Sequence, residues 1–228
     1  MRDILTAGLT ALGLDTAAAP QLERYAALLL EKNKVMNLTA ITGERDVATL
    51  HLLDCAALLA QADMRGKTVI DVGTGAGFPG MVLAILEPSA RFTLLDSLGK
   101  RVKWLEETLP GLGIPAQCVN ARAEDYAAEH RERYDYATSR AVARLNILLE
   151  LTAPFVKVGG AVLALKGAAA EEELQEAAGA IRKLGLKLEK VLEFPIEVTH
   201  HCLVVLRKTA PTPKQYPRRY AKIKQSPL

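Results

Sequence analysis

The chain has no run of about 18 apolar residues, so nothing in it reads as a helix able to span a bilayer. Its three cysteines, Cys55, Cys118 and Cys202, are odd in number and far apart, with no CxxC pair. That pattern argues against a disulfide framework and a structural zinc site, and for buried thiols in the reducing cytoplasm. The N-terminus, MRDILTAGLTALGLD, carries an early acid and no clear cleavage site, so it does not read as a signal peptide. Internal repeats are absent. Acids are missing from the end of the chain: none follows Glu197, whereas Arg207, Lys208, Lys214, Arg218, Arg219, Lys222 and Lys224 do. The formal net charge of +3 therefore hides a mildly acidic body, 22 basic against 26 acidic residues in 1–197, and a strongly basic end.

What is present is core. Half of the 228 residues are hydrophobic, enough for one large domain, or one domain with an appendage. The stretch TVIDVGTGAGFPG organises it. Thr68 to Val72 is a β-branched run that reads as a buried strand. Gly73, Gly75, Gly77 and Gly80 follow, and Phe78-Pro79-Gly80 leads into the apolar helix MVLAILEP. A strand, a glycine turn and a helix start together form a cradle for a nucleotide-like ligand. Gly75, Gly77 and Gly80 satisfy the dinucleotide pattern GxGxxG, and Asp96 lies at the distance of a ribose-binding acid. Asp71, just before the glycines, points the other way. A carboxylate aimed at the cradle repels a pyrophosphate and suits the cationic groups of S-adenosylmethionine (SAM). A nicotinamide-dependent oxidoreductase stays the alternative at this point.

Taken in order, residues 1–62 read as a helical cap. Pro20 opens one helix, NLTA at 37–40 breaks the pattern, and a second helix runs from about Glu44 to Ala62, carrying His51 and Asp54 on neighbouring points of one face. Residues 63–208 alternate strand and helix, as in a mostly parallel sheet covered on both faces. The strands are TVIDV, ARFTLLDS, AQCVNARAED, YDYATSRAV and GGAVLALKG, followed by a late antiparallel pair over Leu186–Val198 and Cys202–Lys208. The helix from Gly99 is expected to stop at Pro110, others to cover 144–157 and about 168–184, and residues 209–228 to form an extended basic tail.

Polar residues collect at the strand ends: Asp71, Asp96, Glu124, Arg140 and Lys166. Ligands of open α/β sheets bind there. Asp96 suits both ribose hydroxyls, although an acid at that position also serves as a helix cap. Glu124 or its neighbouring backbone suits an adenine edge, or else is a solvated loop acid. Arg140 follows a buried strand, where a guanidinium implies a carboxylate, phosphate or planar partner.

The motifs TVIDVGTGAGFPG, LLDSLGKRVKWLEE, ARAED, TSRAVARL, GGAVLALKG and the terminal YPRR, with NKVMNLTAI and HLLD before them, resemble the bacterial 16S rRNA guanine-N7 methyltransferase family, also called glucose-inhibited division protein B. The resemblance spans nearly the whole chain. It implies a Rossmann-like class I SAM-dependent methyltransferase, seven-stranded with a helical cap, that acts on a guanine of the small ribosomal subunit. Gly73, Phe78, Ala123, Glu124 and Arg140 match its SAM-binding positions, and Asp71, Thr74, Gly75, Gly77, Asp96 and Ser97 complete the expected cofactor set. Asn37, His51 and Lys166 match polar positions of the RNA side. Arg218 and Arg219, with Tyr216 and Tyr220 as stacking rings, are expected RNA contacts of the tail. One departure is Leu50, where the family pattern has an arginine before the histidine; it bears on an RNA contact and leaves the cofactor site untouched. Methylation at N7 loses no proton, so Arg140 is expected to position rather than to move protons, without metal or general base. A non-catalytic RNA-binding module on the same fold is the remaining alternative. The chain is expected to be a monomer, and loss of its tail to weaken RNA binding while sparing SAM.

Overall fold

The computed structural model describes residues 1–193 and 201–228. Among them, seven strands form one sheet: β1 (Thr68–Val72), β2 (Arg91–Asp96), β3 (Gln117–Asn120), β4 (Tyr134–Arg140), β5 (Val156–Lys166), β6 (Leu186–Glu193) and β7 (Cys202–Lys208). Their order is β3-β2-β1-β4-β5-β7-β6. The first five run parallel, and β7 is antiparallel to both β5 and β6. The chain leaves β1 outward to β2 and β3, then returns to place β4 on the other side of β1. That reversal opens a crevice at the carboxyl ends of β1 and β4, the place where such sheets bind ligands.

Strand alternation divides the core. Val69 of β1 joins a cluster on one face with Leu5, Leu22, Tyr25, Leu52, Met81 and Trp104. Its neighbours Ile70 and Val72 join the opposite cluster with Leu148, Leu149, Phe155 and Leu184. The N-terminal helices Arg2–Ala11 and Ala19–Met36 thus share a core with the first face of the sheet. A β1 shifted by one residue would exchange the two sets.

Several boundaries differ from the sequence expectation. Pro110 lies inside the helix Gly99–Leu112, which ends instead at Gly113 in the left-handed region; glycine supplies that conformation at no steric cost. Residues 44–56 are helical, with a π-helical stretch over Val47–Leu53, and turns follow. The third strand ends at Asn120, and Glu124 stands in a short helix, Ala123–Tyr126. The helix Leu145–Thr152 is shorter than expected, and the polar stretch after β5 is two helices, Ala170–Glu176 and Ala178–Lys183. The expected strand from Leu186 is present to Glu193; its part from 194 to 198 lies outside the described residues.

The C-terminal residues are not an extended tail. They fold back on the sheet and end in the helix Tyr220–Gln225. Arg131 donates to the carbonyls of Tyr216 (2.5 Å) and Thr212 (2.8 Å). Ile223 is fully buried, and Tyr216 and Leu228 pack against the second core cluster. Two cations of this region are internal. Lys208 donates to Ala153 O, Val156 O and Thr212 Oγ1, and burial lowers its pKa to about 8. Arg218 grips the fully buried Glu150 with its backbone N–H and Nε at 2.8 Å and Nη2 at 2.6 Å.

Candidate active site

The glycine turn after β1 is fastened to β2. Gly73 N–H and Thr74 N–H both donate to Leu95 O, at 2.8 and 3.0 Å. Gly73 has φ +72°, and a Cβ there would stand 2.4 Å from Val142 Cγ2; at Gly77, with φ +96°, it would stand 2.4 Å from Met81 Cγ. Both positions therefore require glycine for conformation and for space.

Asp96 lies at the end of β2. Its Oδ2 accepts Gly75 N–H and its Oδ1 accepts Leu98 N–H, each at 2.8 Å. It serves the turn and the start of the next helix together, and each oxygen keeps a lone pair for a further donor.

Asp71 corrects an expectation. Its side chain does not point into the cradle but lies fully buried beneath it. It accepts Gly80 N–H at 2.9 Å and the Thr138 hydroxyl at 3.0 Å, so it ties the helix start to β1 and β4. Burial raises its pKa to about 6 against the pull of these donors. The argument that its charge repels a pyrophosphate falls away.

Arg140 ends β4 and is held on every side. Nη1 donates to Leu50 O at 3.2 Å, Nη2 meets His51 Nδ1 at 3.0 Å, and Asp54 Oδ2 stands 3.7 Å from Nη1. The guanidinium lies 4.5 Å above the Phe78 ring, on which His51 also stacks at 4.6 Å. Because the contact at Leu50 is to its carbonyl, the side chain at that position does not affect it. A guanidinium only donates, so His51 Nδ1 is the acceptor and Nε2 carries the proton, which it gives to Thr39 Oγ1 at 2.7 Å. Burial, and then the charge of Arg140, lower the His51 pKa to about 4. The π-helical stretch brings His51, Leu50 O and Asp54 to this one guanidinium; such departures from α-geometry recur at functional sites.

These groups separate two cavities. The first, of about 420 Å³, is walled by Gly73, Thr74, Gly75, Phe78, Asp96, Ser97, Ala123, Glu124 and Arg140 of the expected cofactor set. The second, of about 460 Å³, is walled by Asp54, Lys166, Glu173 and His201 and shares His51, Arg140, Ala141 and Val142 with the first. Ala141 has φ +56°, an uncommon conformation for alanine that sits at this junction. Lys166 is fixed there by Glu173 and by Ala143 O, both at 2.6 Å.

Three expected RNA contacts need comment. Asn37 caps the helix Ala19–Met36 in the left-handed conformation, exposed, and walls neither cavity. Arg218 is turned inward to Glu150, because a carboxylate buried in the helix Leu145–Thr152 needs a cation more than the surface does. Arg219 is exposed just before the short helix Tyr220–Gln225, on which Lys222 and Lys224 are exposed too. Two further residues of the site are not legible in the sequence: Thr39, within the NLTA break, and His201, which donates to Asp54 Oδ1 at 3.0 Å and carries no local signal.

The seven-stranded order β3-β2-β1-β4-β5-β7-β6, with β7 antiparallel to both its neighbours, a glycine cradle at the switch point and an acid ending β2, is the architecture of a Rossmann-like class I methyltransferase. The fold is shared with a TehB-like SAM-dependent methyltransferase from Corynebacterium glutamicum (17% identity, TM-score 0.52, covering 68% of this chain and 87% of that one). The sequence narrows the class. The family model of GidB, rRNA small subunit methyltransferase G, matches residues 18–202. The chain is 43% identical over 233 residues to the ribosomal RNA small subunit methyltransferase G of Alkaliphilus metalliredigens (99% of this chain, 98% of the relative). It is 44% identical over 210 residues to that of Clostridium botulinum (90% and 88%). The chain belongs to the rRNA small subunit methyltransferase G family.

Proposed function

We propose that this protein transfers the methyl group of SAM to N7 of one guanine in the 16S rRNA of the small ribosomal subunit. The observation that carries the reading is the pair of adjoining cavities with Arg140 and His51 between them: one is walled by the glycine turn, Asp96 and Glu124, and the other opens beside it.

The residues of the first cavity fit SAM. Asp96 retains lone pairs for the ribose hydroxyls. Gly75 leaves open space, since a Cβ would meet nothing closer than 3.8 Å. Gly73, Thr74, Phe78, Ser97, Ala123 and Glu124 complete the enclosure, while Asp71 and Gly77 support the turn from behind. SAM supplies a methyl group on a sulfonium, a leaving group that departs with the bonding pair. Guanine N7 offers its lone pair and releases no proton. No group is needed as a base, and His51 is not free to be one, with Nδ1 engaged by Arg140 and Nε2 by Thr39. Arg140 is held in one orientation by three partners and a ring, as a positioning group must be. Outside, Arg219, Lys222 and Lys224, with the exposed Lys100 and Arg122, give phosphates a cationic rim.

The test is methyl transfer from labelled SAM to small-subunit rRNA, naked and assembled, with the product mapped. A single N7-methylguanine is expected. Methylation at another atom or on another RNA refutes the assignment, and a chain that binds SAM without transfer supports the non-catalytic module instead.

A further inference from the structure

We propose that Tyr220, from the basic C-terminal segment, is a cofactor-site residue that closes the adenine end of the first cavity. The proposal rests on the reading that SAM occupies that cavity. It also reverses what the sequence led one to expect, a tail that meets RNA alone.

Tyr220 stands in the wall of the first cavity, together with Glu124, Ala123 and Leu151. Its backbone N–H donates to Glu124 Oε1 at 3.2 Å, so it is joined to the residue expected at the adenine edge. The position is fixed from both sides. Two residues earlier, Arg218 is locked onto buried Glu150 by three hydrogen bonds. Three residues later, Ile223 is fully buried. A disordered solubilising tail has no reason to carry either anchor.

The order of groups in the wall gives the ligand's orientation. Arg140, Ala141 and Val142 wall both cavities and so mark the side of the second, and Gly73 at the start of the glycine turn lies against Val142. Reaction must occur there. Asp96, at the end of β2, takes the ribose. β3 is the next strand outward, and the groups that follow it, Ala121 to Glu124, meet the base. Tyr220 is joined to this outer end. An aromatic ring offers a flat purine apolar area and a π face, and it loses little conformational freedom in doing so.

The experiment is calorimetric titration of S-adenosylhomocysteine and of adenosine into the full-length protein, wild type, Tyr220→Ala and Tyr220→Phe. Tyr220→Ala is expected to weaken both ligands by about tenfold, near the lower end of what base–aromatic stacking is worth. Tyr220→Phe should stay within about twofold, because the ring and not the hydroxyl is invoked. The unliganded melting temperature separates loss of contact from loss of structure. If Tyr220→Ala melts early, Tyr220→Leu fills the wall without a π face and carries the same expectation. Wild-type affinity in the alanine and leucine variants overturns the proposal. So does a loss for S-adenosylhomocysteine without one for adenosine, which would place the ring elsewhere. A wild type that binds neither ligand overturns the reading of the cavity itself, a result the variants do not imitate.

Discussion

Replacing Arg218 with alanine tests how the C-terminal segment is held. Glu150 is fully buried, and among the described residues its three hydrogen bonds come from Arg218: backbone N–H and Nε on Oε1, Nη2 on Oε2. Removing the guanidinium leaves a buried carboxylate with one neutral donor. Breaking such a pair from one side costs about 3–5 kcal/mol. The lower figure applies here, since the last residues can detach and admit water to Glu150 without unfolding the sheet. For a chain of this size, about 3 kcal/mol corresponds to a fall of about 6–12 °C in melting temperature. Equilibrium urea unfolding measures the loss. Trypsin reports the detachment, with faster cleavage after Arg219, Lys222 and Lys224. Arg218→Met combined with Glu150→Leu should recover most of the stability, because an apolar pair of similar volume removes the stranded charge. Arg218→Ala within about 0.5 kcal/mol of wild type, with an unchanged tryptic pattern, would refute the reasoning.

Arg140→Lys keeps the charge but cannot reach Leu50 O and His51 together while lying flat on Phe78; single-turnover methyl transfer should slow by about 100-fold, and an undiminished rate removes Arg140 from the site. Gly77→Ala meets Met81 Cγ at 2.4 Å and the Tyr25 hydroxyl at 2.6 Å in a positive-φ conformation; a loss of about 2–3 kcal/mol in urea unfolding is expected, and a neutral effect would disprove the crowding. Acid titration separates two buried groups. The His51 pKa is depressed to about 4, so its contribution is present above its unfolded value of about 6.5 and is lost as pH falls through 4, up to about 3 kcal/mol. The Asp71 pKa is raised to about 6, so its contribution is present below about 3.8 and is lost as pH rises through 6, by a similar amount. The two offset each other between pH 4 and 6. Asp71→Asn should therefore lose stability more steeply than wild type on acidification across that window; parallel profiles in urea unfolding would contradict this.

The strand-and-turn grammar of this protein is local, and the sequence alone determined it. β-branched runs, glycines where the backbone turns left-handed and acids at strand ends specify the cradle, Asp96 and the succession of strands and helices along the chain, because each depends on neighbours within a few residues. Arg140 was legible for the same reason: a guanidinium at the end of a buried strand needs a partner. Its partners were not legible. Leu50, His51 and Asp54 lie about ninety residues earlier, and only the packing of the first helices against the sheet brings them to it. The sequence places Asp71 on its strand but does not set its direction, since whether a strand-end carboxylate faces ligand or helix depends on the layer laid over it. The tail departs from the extended segment expected of it for a related reason. Proline and cation content describe a segment without a core of its own, and its core, Glu150 and the second face of the sheet, is supplied by residues far away in sequence. Local propensity writes the elements. Which buried charge meets which distant partner is decided only when the layers close, because desolvation makes an unpaired charge intolerable there and nowhere earlier.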